Sequence, residues 1–296
     1  MQIGAIFPQT EIEADAGAMR EYAIAVEAMG YTHLAAYDHV LGANTASRPN
    51  WNGPYRLENS FQEPLVLFSF MAAVTSKVGF FTAILILSQR QAVLVAKQAA
   101  CLDIYCEGRL RLGVGTGWNQ VEYEALGMSY PERGKRIEDQ IEVLRALWSQ
   151  DAVSFDTGFH KITDAGINPL PVQQPIPIWL GGGSDRPMFA TRANEKVIRR
   201  IARIADGWCP MWQPGPRAGE LMEIFRGYCH EFGRNPDDIG LEGSYVAARS
   251  EQDHWSEGLD AWRATGASHL SIITMGEGLK GVEEHLQRLE EFRSVL

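Results

Sequence analysis

The sequence predicts one α/β domain over residues 1–296, a (β/α)8 TIM barrel with insertions in the loops after strand 2, helix 4 and strand 5. Three observations carry this expectation. Apolar strand-like runs and segments of helical period alternate along the whole chain, eight of each, and strict alternation implies parallel strands joined by right-handed crossovers. The 296 residues slightly exceed the ~250 typical of such a barrel. Neither a repeat nor a low-complexity linker divides the chain.

In order, strands are expected at Gln2–Phe7, His33–Asp38, Val78–Leu85, Leu110–Val114, Ile176–Leu180, Gly207–Met211, Ile239–Ala247 and His269–Thr274. The fourth is the clearest, because Leu110, Leu112 and Val114 alternate with Arg111 and Gly113. Helices are expected at Ala14–Met29, Pro64–Thr75, Ala92–Tyr105, Pro131–Gln150, Glu195–Ala205, Arg217–Phe232, His254–Ala264 and Val282–Arg293. Gly30 and Gly108 follow the first and third, where a left-handed residue ends a helix. In the fourth, Ile137, Ile141, Leu144 and Leu147 recur at spacings of three and four, which makes one buried stripe. Three connections are too long for plain turns: Val40–Gln62, Ala152–Pro175 and Ser184–Asn194. In the second, Val153–Ile162 reads as a small hairpin over Asp156-Thr157-Gly158.

Composition excludes several classes of function. At 45% apolar and 22% charged residues the chain is a globular one. The formal charge of −10 and the lack of a basic stripe argue against nucleic acid. The longest apolar run, Val78–Leu87, is half what a membrane helix needs, and the N-terminus MQIGAIFPQTE has no basic leader. Cys101, Cys106, Cys209 and Cys229 form no C-x-x-C pair and read as reduced thiols, so the expected location is the cytoplasm. The seven histidines include neither H-x-H nor H-x-x-x-H, so no catalytic metal is expected. No G-x-S-x-G elbow offers an acyl-transfer nucleophile.

In a barrel, residues at the carboxyl ends of separate strands converge. Strand 2 ends in Asp38-His39, and an imidazole titrates near neutral pH, which makes His39 the candidate proton carrier with Asp38 beside it. Neighbours on a strand point to opposite faces, so the two are not expected to face the same pocket. Strand 4 passes into Gly115-Thr116-Gly117-Trp118, where glycine lets backbone pass close to a ligand. Gly181-Gly182-Gly183-Ser184 offers consecutive N–H groups suited to phosphate oxygens, with a flexible loop as the alternative. Trp51, Tyr55, Trp118, Trp208 and Trp212 suit a flat apolar ligand or an ordinary core.

Together these segments resemble the bacterial luciferase-like oxidoreductases, and among them the coenzyme F420-dependent branch more than the flavin monooxygenases. The carriers are Asp38-His39, Glu63-Pro64 through Thr75, Ala96 through Asp103, Gly108-Arg109, Leu112 through Trp118, Arg133-Gly134 with Arg136, Trp179 through Gly183, and Asp206-Gly207-Trp208. The resemblance implies a ring held across the strand ends against a bulge in strand 3 that contains a cis non-proline peptide, here Ala83-Ile84. It places Thr82, Ala83 and Ile84 beside the ring and Asp38 as a polar contact. Its phosphate side chain would lie near Thr116, Gly117 and the run from Gly181 to Ser184, with Trp118 counted among the coenzyme contacts. Relatives that oxidise sugar phosphates carry a catalytic glutamate where this chain has Trp118, which turns the expectation toward a small apolar or conjugated substrate. The expected activity is F420-dependent hydride transfer; the alternatives are a reduced-FMN-dependent monooxygenase and an idle flavin-binding barrel. The family also implies a homodimer, and a separate reductase to supply reduced coenzyme.

Overall fold

The computed structural model describes residues 1–12, 14–184, 192–247 and 252–296. Elements follow in the order β1 (Gln2–Ile6), α1 (Ala16–Ala28), β2 (His33–Ala36), α2 (Pro64–Ala72), β3 (Gly79–Thr82), β4 (Leu85–Ile86), α3 (Ala92–Tyr105), β5 (Leu110–Gly115), α4 (Gln120–Ala125), α5 (Arg133–Ser149), β6 (Val153–Asp156), β7 (Lys161–Ala165), β8 (Ile178–Ser184), α6 (Arg192–Ile204), β9 (Gly207–Met211), α7 (Pro216–Glu231), β10 (Gly240–Val246), α8 (Trp255–Ala264), β11 (His269–Ile273) and α9 (Gly281–Arg293). The expected alternation of strand and helix is therefore present. Contacts gather the chain into two compact units, 1–35 with 178–296, and 36–177.

In the first unit a parallel ladder runs β2-β1-β11-β10-β9-β8, with Ala5 opposite Leu34, Ile3 opposite Leu270 and Leu180 opposite Trp208. β1 from Ile3 and β2 from Leu34 carry no polar residue because successive side chains are buried on both faces. One polar knot interrupts this core. His33 Nε2 lies 3.0 Å from Glu242 Oε1 and 3.1 Å from Ser271 Oγ, and its Nδ1 lies 3.0 Å from Thr32 Oγ1. A Cβ at Gly4 would lie 2.3 Å from the His33 ring, so only glycine leaves room for it.

The second unit is built on β5. Phe80 of β3 pairs with Leu110, and Leu85 of β4 with Val114. The continuous strand expected over Val78–Leu85 is divided at the cis peptide Ala83-Ile84, the position that the family resemblance implied. Thr82 Oγ1 donates to Gly113 O at 2.7 Å, and a Cβ at Gly113 would lie 2.0 Å from Thr82 O, so β3 and β5 meet here at a distance only glycine permits. Ile137, Ile141, Leu144 and Leu147 of α5 are buried as their spacing predicts. Gln140 falls within that stripe and donates from Nε2 to the carbonyls of Leu87 and Arg90, at 3.1 and 2.9 Å. The hairpin β6–β7 forms with Asp156 opposite Lys161 and runs on to Ala165, tied to α5 where Asp139 meets His160 and Thr157.

Two boundaries differ from expectation in a way that matters. Strand 5 was expected to stop at Leu180, but β8 continues through the glycines to Ser184. The expected insertion Ser184–Asn194 falls largely on 185–191, outside the described residues; α6 begins at Arg192.

Candidate active site

His39 follows β2 and is held by a carboxylate that the sequence reading did not single out. Glu122 Oε1 lies 2.9 Å from His39 Nδ1 and accepts the Val40 N–H at 3.0 Å. Glu122 is 1% exposed. With its Nδ1 proton given to this carboxylate, a neutral imidazole presents Nε2 as its acceptor. Nε2 has no hydrogen-bond partner among the described residues. The short helix α4 places Glu122. Asn119 caps it, accepting the Val121 N–H at 3.2 Å, and Tyr123, next to Glu122, bonds Ser88 Oγ at 2.9 Å and donates to Thr116 O at 2.7 Å.

Aromatic rings enclose the imidazole. The Phe61, Tyr55 and Trp118 centroids lie 4.7, 4.8 and 5.7 Å from that of His39, all edge-on. Trp51 packs on Trp118 at 5.7 Å, and a Cβ at Gly53 would lie 2.3 Å from Trp118. The segment from 40 to 62 is thus folded down on the histidine. Trp51 Nε1 donates to Tyr55 O at 3.1 Å, and Leu57 N to Ala43 O at 3.0 Å. A cleft of about 170 Å³ remains, lined by His39, Leu41, Tyr55, Arg56, Phe61 and Asn119 among others.

Asp38 is buried and works apart from His39. Its Oδ2 accepts the Ile86 N–H at 2.8 Å, and its Oδ1 accepts Arg90 Nη2 at 2.7 Å. Arg90 also donates from Nη1 to Glu63 Oε1 at 2.8 Å, while Glu63 Oε2 caps α2 through the Val66 N–H at 2.8 Å. Burial pushes the Asp38 carboxyl up, against the pull of the Arg90 guanidinium and the Ile86 N–H. Asp38 therefore ties the end of β2 to the strand segment beyond the cis peptide.

Of the residues singled out from the sequence, Asp38, His39, Thr82, Ala83, Ile84, Thr116, Gly117 and Trp118 all lie in the unit 36–177. Ala83, Ile84, Thr116 and Gly117 are half-buried, and Trp118 is exposed. Gly117 has φ +59°, and a Cβ there would lie 2.7 Å from Ile86 Cγ2, so this turn packs on the same segment that Asp38 holds. Gly181, Gly182, Gly183 and Ser184 lie in the other unit. There they form a bulged strand end, with the register against β9 shifting between Gly181 and Ser184. Trp208 Nε1 donates to Gly182 O at 2.7 Å, and a Cβ at Gly183, φ +75°, would lie 2.8 Å from the Trp208 ring. In place of the flexible loop that stood as the alternative, the run is strand through Ser184, and Gly183 leaves room for the Trp208 ring.

Glu122 escaped sequence reading because Asn119-x-x-Glu122 has the form of a capping box, in which the glutamate returns to its own helix. Here it bonds a different segment. Glu63 was visible only as the start of a longer block, and Arg90, which bonds it directly across 27 positions, reaches Asp38 across 52.

Residues 3–293 match the family model described as luciferase-like monooxygenase. A protein of Mycobacterium tuberculosis is 36% identical over 189 residues, 62% of each chain. An FMNH2-dependent dimethylsulfone monooxygenase of Pseudomonas putida is 33% identical over 47% of this chain and 39% of its own. An F420-dependent glucose-6-phosphate dehydrogenase of Kineococcus radiotolerans is 28% identical over 69% of this chain and 58% of its own. The matched stretch thus spans at most 62% of the length of these relatives. The monooxygenase RslO1 of Streptomyces bottropensis shares the (β/α)8 fold, at TM-score 0.80 and 18% identity over 100% of this chain and 98% of that one.

Proposed function

This chain belongs to the luciferase-like monooxygenase family, and from that premise we propose that it is a coenzyme F420-dependent oxidoreductase. It moves a hydride between a deazaflavin and a small apolar or conjugated organic substrate. The observation that carries this reading is the His39–Glu122 pair, a buried carboxylate holding an imidazole whose second nitrogen is uncommitted, walled by aromatic rings. Hydride transfer to or from carbon requires one proton to be supplied or removed, and His39 is the group placed to do it. Glu122 keeps the proton of the neutral ring on Nδ1 and stabilises the cation when Nε2 takes a second one.

The residues present fit such a coenzyme. Gln89 is 1% exposed, and neither its Nε2 nor its Oε1 has a partner among the described residues. A donor beside an acceptor complements the C=O and N–H edge that flavin and deazaflavin share. Ala83, Ile84, Thr116 and Gly117 would border the ring, with Thr82 and Asp38 fixing that backbone through Gly113 O and the Ile86 N–H. When bound, a deazaflavin supplies or accepts a hydride, whereas a reduced flavin delivers its electrons to oxygen. Trp118 and its neighbours would exclude water from the reacting carbon.

Reduced FMN is the second reading, and the Pseudomonas relative at 33% identity favours it, against 28% for the F420-dependent one, whose match covers more of the chain. Fluorescence titration with each coenzyme separates them. Micromolar binding of F420 is expected; binding of FMN alone reverses the order, and binding of neither removes both. A homodimer belongs to the same proposal, since Val66 on α2 and Val93, Leu94 and Tyr105 on α3 are exposed and a second copy would cover them. Light scattering reads that directly.

A further inference from the structure

We propose that the cleft beside His39 takes a small conjugated monocarboxylate, its charge met by Arg56 and its flat body lying against Tyr55 and Phe61. The inference rests on the oxidoreductase reading of the same site and names the class of substrate. Acidic residues outnumber basic ones 37 to 27 in this chain. The guanidinium groups of Arg90, Arg199, Arg217, Arg226, Arg263 and Arg288 are all engaged in ion pairs. Arg56 differs. Arg56 is exposed at the edge of the cleft it helps to line, and among the described residues its guanidinium has neither an ion pair nor a hydrogen bond.

Its backbone is nevertheless fixed. Arg56 N donates to Asn59 Oδ1 at 2.9 Å, and Asn59 N returns to Arg56 O at 3.1 Å. A Cβ at Gly42 would lie 2.5 Å from Arg56 O, so the two arms of the loop are in full contact. The turn therefore sets where the arginine's backbone stands, and a ligand that engages the exposed side chain has only that side chain to order.

A second, independent group lines the same cleft. Asn119 is 4% exposed, and its Oδ1 is committed to the Val121 N–H. Among the described residues its side-chain NH2 makes no hydrogen bond. With His39, the cleft is lined by Arg56 and Asn119, and no Asp or Glu is among its lining residues. A planar guanidinium matches two carboxylate oxygens bidentately, and one cation neutralises one negative charge. A phosphate dianion would call for further cations, and Arg56 is the only one among the lining residues described. Tyr55 and Phe61, 4.8 Å apart and edge-on, make an aromatic wall for the conjugated part.

Benzoate and benzamide have nearly the same shape and differ in charge, and both can be titrated against tryptophan fluorescence in the absence of coenzyme. The wild type is expected to bind benzoate about tenfold or more tighter than benzamide, with the difference shrinking in high salt. Arg56→Gln should bring benzoate to the level of benzamide, and Arg56→Lys should retain part of the preference, with the near-UV circular dichroism of both variants unchanged. Equal affinity of the two probes in the wild type, an unchanged benzoate affinity in Arg56→Gln, or binding of neither probe overturns the proposal. Because no coenzyme is present, a failure of the redox reading, seen as binding of neither F420 nor FMN, leaves this result distinguishable.

Discussion

Strand β2 begins with His33, and His39 follows three residues after its end; each histidine pairs with a carboxylate drawn from a distant segment. The chemistry of the two pairs is the same, and their surroundings are not. His33 has partners at both nitrogens, Thr32 at Nδ1 and Glu242 with Ser271 at Nε2, and lies in a place that Gly4 leaves open for it. His39 spends one nitrogen on Glu122, and its side chain, 10% exposed, borders a cleft. A fully satisfied buried imidazole holds strands in register, whereas one with a free nitrogen beside a cleft is able to exchange a proton. Position on the strand agrees, since in this fold the amino ends of strands serve stability and the carboxyl ends serve chemistry.

The comparison breaks if the two histidines respond alike to removal. His39→Ala should lower turnover by about 10²- to 10⁴-fold with little change in coenzyme affinity, as expected for the loss of a general acid–base group. Steady-state kinetics beside a coenzyme titration measures both, and undiminished turnover removes His39 from the mechanism. Glu242→Ala should instead cost about 1–3 kcal/mol of stability by removing a buried hydrogen-bond partner of His33 and Ser271, with the turnover of the folded fraction preserved. Urea unfolding tests that, and an unchanged midpoint would deny the pair a structural role.

Glu122→Gln sharpens the contrast. It retains an acceptor oxygen and loses the charge, so turnover should fall by about tenfold to a hundredfold, less than for His39→Ala. A loss confined to thermal stability, with turnover intact, would place Glu122 with Glu242.

A third buried histidine sets the lower end of the scale. His285 is 0% exposed, its Nδ1 lies 2.7 Å from Thr274 Oγ1, and Glu11 Oε2 stands 3.5 Å from its Nε2. Burial pulls it down from 6.5 to about 4. Between those values the unfolded chain binds the proton that the folded one refuses, so stability falls as pH drops from about 6.5 toward 4. His285→Gln should flatten that part of the profile, read as melting temperature against pH; an identical slope in the variant would assign the loss to other groups.

Much of this architecture was legible in residue patterns. Ile137, Ile141, Leu144 and Leu147 declared the buried face of α5, and the hairpin was readable from Asp156-Thr157-Gly158. His39 stood out by its place after an apolar strand. What patterns did not convey was pairing. Asp38 and His39 are adjacent, yet one is tied to Arg90 and the other to Glu122. The glycines from Gly181 to Gly183 had the composition of an anion loop, and composition did not convey that Gly183 also leaves room for the Trp208 ring and Gly182 for Val197.

Local sequence by itself determined the order of strands and helices, since periodicity and helix ends depend on interactions within a few residues of one another. Only the tertiary structure decided which carboxylate serves which histidine. Glu122 lies 83 positions from His39 and Glu242 lies 209 from His33, and nothing in the spacing of either pair distinguishes them. Their difference arises from what else reaches each ring, and therefore from packing: a hydroxyl on the remaining nitrogen of His33, and a cleft beside His39.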